Sequence, residues 1–450
     1  MRIITSGGRR AGAVALSAAL VIAAAGCGGT DAGGTGGGGG ARAVTFLTHW
    51  GPEQVAMLKK AATAFQEKNP GVTVTVRAVP FANLLSTLRT QGASPGGPTI
   101  ASIYDLWLPE LVRDGLAAPA PADVAQDLSA GWPANLVEGV TKQGRPRGYP
   151  NEVDLYALNY NKKLFAEAGI AAPPKTWDEL AATAAKLTKR DGGGGKVTQQ
   201  GFGVITSWAA GVVHPWLSLV NSNGGALVDG SAPKLDDPKV QAATDLYAKL
   251  VKDGVTQPSM SNANANTTGP YLDNFVNGKT GMIIMANWWQ SALKEAMGDR
   301  FADVGVAPIP VGPDGAASAP VSYSWLTMVN GKADQAKQDA AWKFLTYLNG
   351  PDSGQNGSSA MGDILVSMGI LPSRTGDLSA HKAELSDPFL SVYVEQLPHA
   401  RPFPAVLGGE EMSQAVQKHI ENVVFGKETA KEAMDAAQRE VAGILTKAGA

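Results

Sequence analysis

The chain has 450 residues, of which 44% are hydrophobic and 17% charged, a composition typical of a soluble globular body. Its formal net charge of -2 excludes the basic excess expected of a nucleic-acid-binding protein, so no nucleic-acid partner is expected. A chain of this length predicts two domains rather than one simple core. The single cysteine excludes an intramolecular disulfide, so core packing alone has to stabilise the fold.

The N-terminus is typical of a secretion signal, which we place at residues 1–26. Arginines give it a positive n-region, an apolar stretch covers residues 11–25, and small residues precede Cys27. The sequence Ala24-Ala25-Gly26-Cys27 looks like a bacterial lipobox, in which the cysteine becomes lipidated and is the first residue left after cleavage. The alternative is an ordinary signal peptide followed by an incidental cysteine. The apolar stretch is shorter than the about 20 residues that a stable membrane span needs.

A glycine-rich segment follows, and we predict that residues 27–42 are the lipidated cysteine and a flexible tether. Such a segment buries no apolar surface, so it cannot offset the entropy of ordering its backbone. A coil of about fifteen residues of this kind reaches roughly 20 Å. We therefore expect an exported protein that is anchored to the outer face of the cytoplasmic membrane, with its folded body close by.

The folded part begins with strands and helices that alternate. Apolar residues at three- and four-residue steps mark 53–68 as a helix, and alternating apolar and polar residues mark 72–79 as a strand. The predicted order is a strand at 43–47, a helix at 53–68, a strand at 72–79, a helix at 81–90 and a strand at 100–104. This order predicts an α/β fold with a sheet and right-handed crossovers.

The same alternation continues toward the C-terminus. After two prolines, Thr176 and Glu179 stand three residues apart at a helix start, which predicts a capping box. The remaining predicted elements are helices at 240–253, 337–348, 413–424 and 428–447, a strand at 281–286 and a surface loop at 191–196.

The sequence contains no clear catalytic or metal-binding motif. Its five histidines form no HExxH pair, and the chain has neither CxxC nor G-x-S-x-G. Gly278-Lys279-Thr280 resembles the end of a phosphate-binding loop, but Asp273 occupies the position of the required first glycine. Glu152 and Asp154 could do acid–base work from one face of a strand, although solvated or hydrogen-bonding carboxylates are the simpler interpretation. We predict no enzyme, no cofactor and no metal site.

Four regions of the chain carry a resemblance to a known family. They are VTFLTHWGPEQ with FQEKNPGVTV near the start of the folded part, RGYPNEVDLYALNYNKKLF at 147–165, PPKTWDEL at 173–180, and NGKTGMIIMANWW at 277–289. Through them the chain resembles the extracellular solute-binding proteins of ABC importers, specifically the maltose-binding-protein-like carbohydrate type (family 1). The resemblance covers almost all of the chain after the tether.

The resemblance implies a periplasmic-binding-protein-like fold of two α/β lobes, joined by hinge strands and separated by an interlobe cleft. We assign residues 43–154 plus 284–330 to lobe I and residues 155–283 plus 331–450 to lobe II, with crossovers near 151–155, 282–286 and 330–334. A ligand that contacts both lobes favours the closed cleft, and the importer can then distinguish loaded from empty protein. The expected protein is a monomer, and its partners are a small-molecule ligand and the permease subunits.

A sugar site needs aromatic planes for the C–H faces of the ring and polar side chains for its hydroxyl groups. Asp154 matches the family's recurring carboxylate, and Trp288 with Trp289 matches its stacking tryptophan. Tyr323 and Trp325 depart from a segment that is commonly glycine-rich in the family. The full candidate set is His49, Trp50, Tyr104, Asp105, Asn151, Glu152, Asp154, Trp208, Trp288, Trp289, Tyr323, Trp325 and Arg374.

Several of these residues have structural alternatives. Trp50 could pack at the start of a helix, and Asp105 could cap the next helix. Arg374 could form a surface ion pair. Trp216, within a helical segment, is predicted to be a core residue rather than a ligand contact.

The predicted function is that of a lipid-anchored receptor that delivers a sugar or oligosaccharide to an ABC importer. Glycerol-3-phosphate or a polyamine is the alternative ligand for the same fold. A phosphate would need convergent basic groups, and the candidates offer only Arg374 and the weaker Arg401. A cation would need carboxylates with aromatic rings, which keeps Glu152 and Asp154 open to that interpretation. A secreted glycan-active enzyme and a signalling or adhesion module with this fold are the remaining alternatives.

Overall fold

The computed structural model describes residues 42–94, 96–192, 195–264 and 267–449. The predicted signal peptide at 1–26 and the predicted lipidation of Cys27 lie outside the described residues. The predicted tether also lies outside them except for Arg42, which is the first residue of a strand. Within the described ranges, no helix combines the length and the apolar character needed to cross a bilayer.

The secondary structure confirms the predicted alternation, because every predicted strand and helix is present with bounds within four residues of those expected. The strands are β1 (Arg42–Thr48), β2 (Val72–Ala78), β3 (Ile100–Tyr104), β4 (Thr141–Lys142), β5 (Arg145–Pro146), β6 (Tyr149–Asn161), β7 (Lys189–Arg190), β8 (Val197–Gly203), β9 (Val228–Asp229), β10 (Ala232–Pro233), β11 (Thr280–Ala286), β12 (Val304–Ala307), β13 (Val321–Val329), β14 (Leu371–Pro372) and β15 (Arg401–Pro402). The helices are α1 (Pro52–Lys68), α2 (Phe81–Gln91), α3 (Leu108–Arg113), α4 (Ala122–Gly131), α5 (Ala134–Gly139), α6 (Lys162–Glu167), α7 (Trp177–Leu187), α8 (Ala209–Ser222), α9 (Pro238–Lys252), α10 (Pro270–Val276), α11 (Trp289–Met297), α12 (Gln335–Leu348), α13 (Ala360–Ser367), α14 (Thr375–Ala380), α15 (Lys382–Leu385), α16 (Leu390–Gln396), α17 (Gly409–Val424) and α18 (Ala430–Ala448).

Most strands belong to one mixed sheet with the order β2-β1-β3-β13-β6-β11-β8-β7. β1 is parallel to β2 and to β3, and β11 is parallel to β8, as expected where helices connect the strands. The two long strands, β6 and β13, lie in the middle of the sheet and are antiparallel to each other. The predicted α/β class is therefore confirmed.

β6 joins two groups of strands within this sheet. Its first half, residues 149–155, pairs with β13, which in turn pairs with β3. Its second half, residues 156–161, pairs with β11 and β12. The strand therefore passes from one group to the other next to Leu155, inside the segment predicted to cross between lobes.

These pairings and the helix packing define the two lobes as we use them below. The first lobe contains β1, β2, β3 and β13 with α1, α2 and α12. The second lobe contains β8, β11 and β12 with α8 to α11, α17 and α18. β12 pairs with the same half of β6 as β11 does, and α11 packs on α10, although both segments were assigned to lobe I. α12 packs on β1 and α1 although it was assigned to lobe II. The lobe boundaries stay a prediction, and these contacts favour placing β12 and α11 in the second lobe and α12 in the first.

Apolar side chains on both lobes pack into buried clusters. Phe46, Phe65 and Phe344 belong to the cluster between β1, α1 and α12. Phe275 and Trp289 belong to the cluster on β11, α10 and α11. Burying a Leu or Phe side chain of this kind stabilises a fold by about 1.5–3 kcal/mol relative to leaving it exposed.

Side-chain caps fix the points at which several helices begin. The Thr176 hydroxyl accepts a hydrogen bond from the Glu179 N–H at 3.2 Å and caps α7, as predicted. The Glu179 carboxylate accepts from the N–H of Lys175 rather than from that of Thr176, so the predicted capping box is only half formed. A complete box lies at α18, where the Thr429 and Glu432 side chains each accept from the other residue's N–H.

Candidate ligand-binding cleft

A cleft of about 370 Å³ lies where the two lobes meet. The first lobe contributes residues at the ends of β1 and β3 and within β13, and β6 contributes residues next to its crossover. The second lobe contributes the starts of α8 and α11. Carboxyl ends of strands at a crossover are the usual place for a ligand site in an open α/β sheet.

The structure brings nine of the thirteen predicted ligand contacts to this cleft, from six separate parts of the chain. Their role in binding stays a prediction, but their convergence is a property of the fold. The nine residues are His49, Trp50, Tyr104, Glu152, Asp154, Trp208, Trp288, Tyr323 and Trp325.

Two of the remaining four predicted contacts have polar partners away from the cleft lining. Asp105 accepts a hydrogen bond from the Ser324 N–H at 2.8 Å. Asn151 donates from Nδ2 to the Asn349 side-chain oxygen at 3.1 Å, in a buried position. Both side chains therefore support the strands behind the cleft in this structure.

The other two are engaged in packing and in an ion pair. Trp289 is 2% exposed and belongs to the core of the second lobe. The Arg374 guanidinium pairs with Asp377 at 3.1 Å and lies over the Trp132 ring. An ion pair was the structural alternative for Arg374, and its geometry turns this side chain away from the cleft lining.

Two adjacent strands present carboxyl groups and aromatic rings side by side. Glu152 and Asp154 lie two residues apart on β6, so their side chains leave the same face of the strand. On β13, Trp325 is the register partner of Glu152, and Tyr323 is the register partner of Asp154. Cross-strand partners have Cβ atoms about 4.5–5.5 Å apart. The register therefore sets an aromatic ring beside each carboxyl group.

Further aromatic rings from both lobes line the cleft around these carboxyl groups. In the first lobe, the His49 and Trp325 ring centroids lie 4.2 Å apart. In the second lobe, the Trp208 and Trp288 rings pack edge to face, with their centroids 6.1 Å apart. The Trp288 indole N–H donates to the Tyr323 hydroxyl at 2.6 Å, which connects the second-lobe wall to β13.

Burial raises the pKa values of the carboxyl groups in and behind the cleft. The pKa of Glu152 is raised well above its usual value by burial and by the adjacent Asp154. Burial also raises the pKa of Asp154, although hydrogen bonds from Glu152 and from the Asn287 amide, at 3.0 Å, oppose this shift. Burial raises the pKa of Asp105 to about 7 against the opposing effect of its backbone hydrogen bonds. These groups therefore retain protons near neutral pH unless a cation stabilises the charged form.

Two histidines line the cleft, and burial keeps both neutral. It lowers the pKa of His49 to about 4 and that of His214 to about 3. The Nε2 atom of His214 lies 3.0 Å from the hydroxyl of Tyr104. Sequence reasoning missed His214 because it lies inside α8 next to Pro215, without a motif, and only the tertiary contact with Tyr104 reveals it. Among the described residues, no group of three or more His, Cys, Asp or Glu side chains is placed to hold a metal ion.

The sequence also failed to indicate most of the small and apolar lining residues. Phe81 could have been predicted as a lining residue, because it follows the end of β2 closely and ligand contacts are expected near strand ends. The rest belong to helices and turns whose position depends on packing between distant segments. The unpredicted lining residues are Gly51, Gln54, Phe81, Ala210, His214, Thr267, Thr268, Leu272, Ser291, Ala292, Met368 and Ile370.

A second cavity of about 540 Å³ adjoins the cleft and shares four residues with it, Phe81, Tyr104, Trp208 and Ala210. Its other side is formed partly by polar residues of α17, namely Glu410, Ser413, Gln414 and Gln417. The two cavities therefore lie next to each other at the interface between the lobes.

Comparison with known proteins gives a family match over most of the chain. The sequence model of the family described as bacterial extracellular solute-binding protein matches residues 50–355. A relative from Brucella abortus, named as a binding protein, is 28% identical over 365 residues, covering 81% of this chain and 84% of the relative. The galactooligosaccharide-binding protein of Bacillus subtilis is 22% identical and covers 86% of each chain.

Solved structures show the same fold. The GacH receptor of Streptomyces glaucescens, solved unliganded and with acarbose, has a TM-score of 0.74 at 21% identity, covering 90% of this chain and 98% of the receptor. The maltose-bound protein MalE3 of T. maritima has a TM-score of 0.74 at 23% identity, covering 89% of this chain and 99% of the other. The predicted two-lobed fold and the predicted resemblance to maltose-binding-like solute-binding proteins of ABC importers are thus confirmed. The chain belongs to the family of bacterial extracellular solute-binding proteins.

Proposed function

We propose that this protein is a lipid-anchored receptor that binds a mono- or oligosaccharide in the cleft and delivers it to an ABC importer. The observation that carries the proposal is the register of β6 and β13. It sets Glu152 and Asp154 beside Trp325 and Tyr323 where the two lobes meet.

The chemistry of this arrangement suits a sugar. The C–H faces of a pyranose ring pack on aromatic planes, and its hydroxyl groups need hydrogen-bond partners once water is excluded. A buried hydroxyl left without a partner costs about 1–3 kcal/mol, and the carboxyl pair supplies both acceptors and, when protonated, a donor. The cleft lining also contains three tryptophan rings on which a sugar ring could pack, those of Trp50, Trp208 and Trp288.

The cleft also has the geometry of a closing receptor. Trp50 and Trp325 belong to the first lobe, whereas Trp208 and Trp288 belong to the second. A ligand that contacts both sets is bound more tightly when the lobes are closed, so it shifts the population toward that state. We propose that the importer recognises this state.

The known binding partners of similar proteins support a carbohydrate ligand. The structural neighbours include proteins solved with acarbose, maltose and mannobiose. Relatives include a diacetylchitobiose binding protein of Streptomyces coelicolor, 26% identical over 45% of each chain. A ligand of more than one ring would need space beyond the cleft, and the adjacent second cavity is where we propose that it extends.

Glycerol-3-phosphate is a less suitable ligand for this cleft. A relative from Yersinia pseudotuberculosis named for binding it is 26% identical over 66% of each chain. No lysine or arginine occurs among the described lining residues, so a phosphate would lack its usual cationic partners. We also propose that the protein is not an enzyme, and release of reducing ends from incubated glycans would contradict this.

We propose that the anchor is a lipid on Cys27. The support is the sequence itself, in which small residues and an apolar stretch precede this sole cysteine and a glycine-rich segment follows it. Membership of an extracellular family fits export of the chain.

The proposed sugar ligand can be found by thermal unfolding of the purified chain with a panel of mono- and oligosaccharides, glycerol-3-phosphate, polyamines and amino acids. A ligand present at 100 times its dissociation constant stabilises a protein by about 2.7 kcal/mol. We expect a raised midpoint with one group of sugars. A shift with glycerol-3-phosphate or an amino acid alone would overturn the sugar assignment while keeping the receptor role.

A further inference from the structure

The cleft lining contains two acidic side chains and, apart from histidine, no basic one within the described residues. The two acidic side chains are those of Glu152 and Asp154. The two lining histidines do not supply a positive charge, because burial keeps both neutral at physiological pH. A ligand is therefore the remaining source of a cation beside this pair.

The polar partner of the buried Glu152 carboxyl group is the neighbouring carboxyl group of Asp154. Glu152 is 4% exposed, and no amide, hydroxyl or cationic side chain of the described residues donates a hydrogen bond to its carboxyl oxygens. Asp154 differs, since it accepts from Asn287 at 3.0 Å. Two buried carboxyl groups that hydrogen-bond to each other at the wall of a cavity share a proton, and a bound cation would allow both to ionise.

The aromatic rings around the pair suit a cation as well as a sugar. Trp325 and Tyr323 are the register partners of the two carboxyl residues, and Trp288 donates its N–H to the Tyr323 hydroxyl. This contact uses the N–H at the edge of the indole ring. A cation within about 6 Å of an aromatic face gains roughly 0.5–2 kcal/mol, most when water is excluded.

We infer that the sugar bound by this cleft carries a protonated amine, placed between the Glu152–Asp154 pair and the surrounding aromatic rings. The inference rests on the proposed function and specifies its ligand class as basic amino sugars. An ammonium group donates up to three hydrogen bonds and brings the charge that the cleft lacks. The raised pKa values of the two carboxyl groups are consistent with a pair that has no cation beside it.

The test compares ligands that differ at one substituent. Cellobiose, chitobiose and diacetylchitobiose share one linkage and carry hydroxyl, ammonium and acetamido groups at the same ring position. Glucose, galactose and mannose each form a similar set with their 2-amino and 2-acetamido derivatives. Calorimetric titration of the full-length chain at pH 7 with each set, and with spermidine and choline, gives the affinities.

The expected result is that the amine of at least one set binds about tenfold or more tightly than its hydroxyl and acetamido counterparts, which corresponds to about 1.4 kcal/mol. Glu152→Gln should bring this ratio close to one, because the amide cannot carry the negative charge that pairs with the ammonium group. Glu138→Gln removes an equal charge from an exposed position on α5 and should leave the ratio unchanged.

The other outcomes separate the two proposals. Neutral sugars that bind as tightly as their amines, or an amine preference that survives Glu152→Gln, would overturn the inference and leave the sugar receptor standing. Binding of spermidine or choline without any sugar would overturn the sugar assignment but keep amine recognition by the pair. No binding by any sugar or amine would overturn both.

Discussion

The hydroxyl of Tyr104 and the Nε2 atom of His214 lie 3.0 Å apart, so one hydrogen bond joins the end of β3 in the first lobe to α8 in the second. Both side chains are buried, at 6% and 1% exposure. The Nδ1 atom of His214 has no partner among the described residues, so the bond to Tyr104 is the histidine's described polar contact. This pair therefore couples the lobes directly at the wall of the cleft.

Tyr104→Phe should lower the free energy of unfolding by about 1–2 kcal/mol, because it leaves the buried imidazole without its partner. Urea denaturation followed by far-UV circular dichroism measures this change. Tyr160→Phe is a suitable control, since Tyr160 is half-buried and its hydroxyl makes no hydrogen bond within the described residues. An equal loss in both variants would show that the Tyr104–His214 bond contributes nothing particular.

Trp208→Ala should weaken sugar binding by about tenfold or more, because it removes one aromatic plane from the second-lobe wall. Its effect on stability should be small, since Trp208 is only half-buried. Fluorescence titration with the sugar found by the thermal panel measures the affinity. Phe425→Ala removes an aromatic ring that is 46% exposed and outside the cleft lining, and it should leave the affinity unchanged. Loss of affinity in both variants would contradict a specific role for Trp208.

Asp105→Asn should change how stability depends on pH. The folded-state pKa of Asp105 is about 7, against an ordinary value of 3.8. Because the folded state holds this proton more tightly, Asp105 contributes stability that is present below about pH 4 and lost as pH rises through about 7. The variant should therefore gain stability relative to the wild type between these values. His49 and His214 contribute with the opposite sign, but they are common to both proteins and cancel in the difference.

Denaturant unfolding at several pH values measures this difference. Asp299→Asn is the matched control, because Asp299 is exposed and forms no ion pair within the described residues. Its stability relative to the wild type should vary little over the same range. A variant at Asp105 whose relative stability stays flat or falls as pH rises would contradict the buried, protonated carboxyl group.

Cys27→Ala should release the protein from the membrane. Without the thiol there is no attachment point for lipid, so the exported chain should move from the membrane fraction to the medium or the soluble extracytoplasmic fraction. Fractionation with immunoblotting, together with metabolic labelling by a fatty acid, measures both consequences. The proposed anchor would be contradicted if the Cys27→Ala variant stayed in the membrane fraction and the wild-type protein took up no fatty-acid label.

Local sequence patterns predicted much of the fold because the information for these elements is local. β1, α1, β2, α2 and β3 follow one another with clear periodicity and clear breaks, such as the Asn69-Pro70-Gly71 turn. Thr176 was correctly identified as a cap for the same reason. The half-formed capping box at Glu179 shows the limit of this approach, since a carboxylate can reach either of two neighbouring N–H groups.

Long-range pairing determined the relationships between residues that the sequence did not predict. The partnership of Glu152 with Trp325 depends on the register of two strands that are far apart in the chain, and no local pattern specifies it. His214 lies 110 residues from Tyr104 and shows no motif. Asn151 and Arg374 were selected as ligand contacts by their place in the sequence. In the structure, Asn151 hydrogen-bonds to Asn349 and Arg374 forms an ion pair with Asp377.

The most direct test of sugar binding in the cleft is a calorimetric titration of the sugar found by the thermal panel into wild-type protein and the Trp288→Ala variant. A ligand held between the two lobes predicts one sugar per wild-type chain. It also predicts at least about tenfold weaker binding to the variant, which loses an aromatic plane and the hydrogen bond to Tyr323. Equal affinity in a variant that remains folded would place the ligand elsewhere and contradict the proposed site.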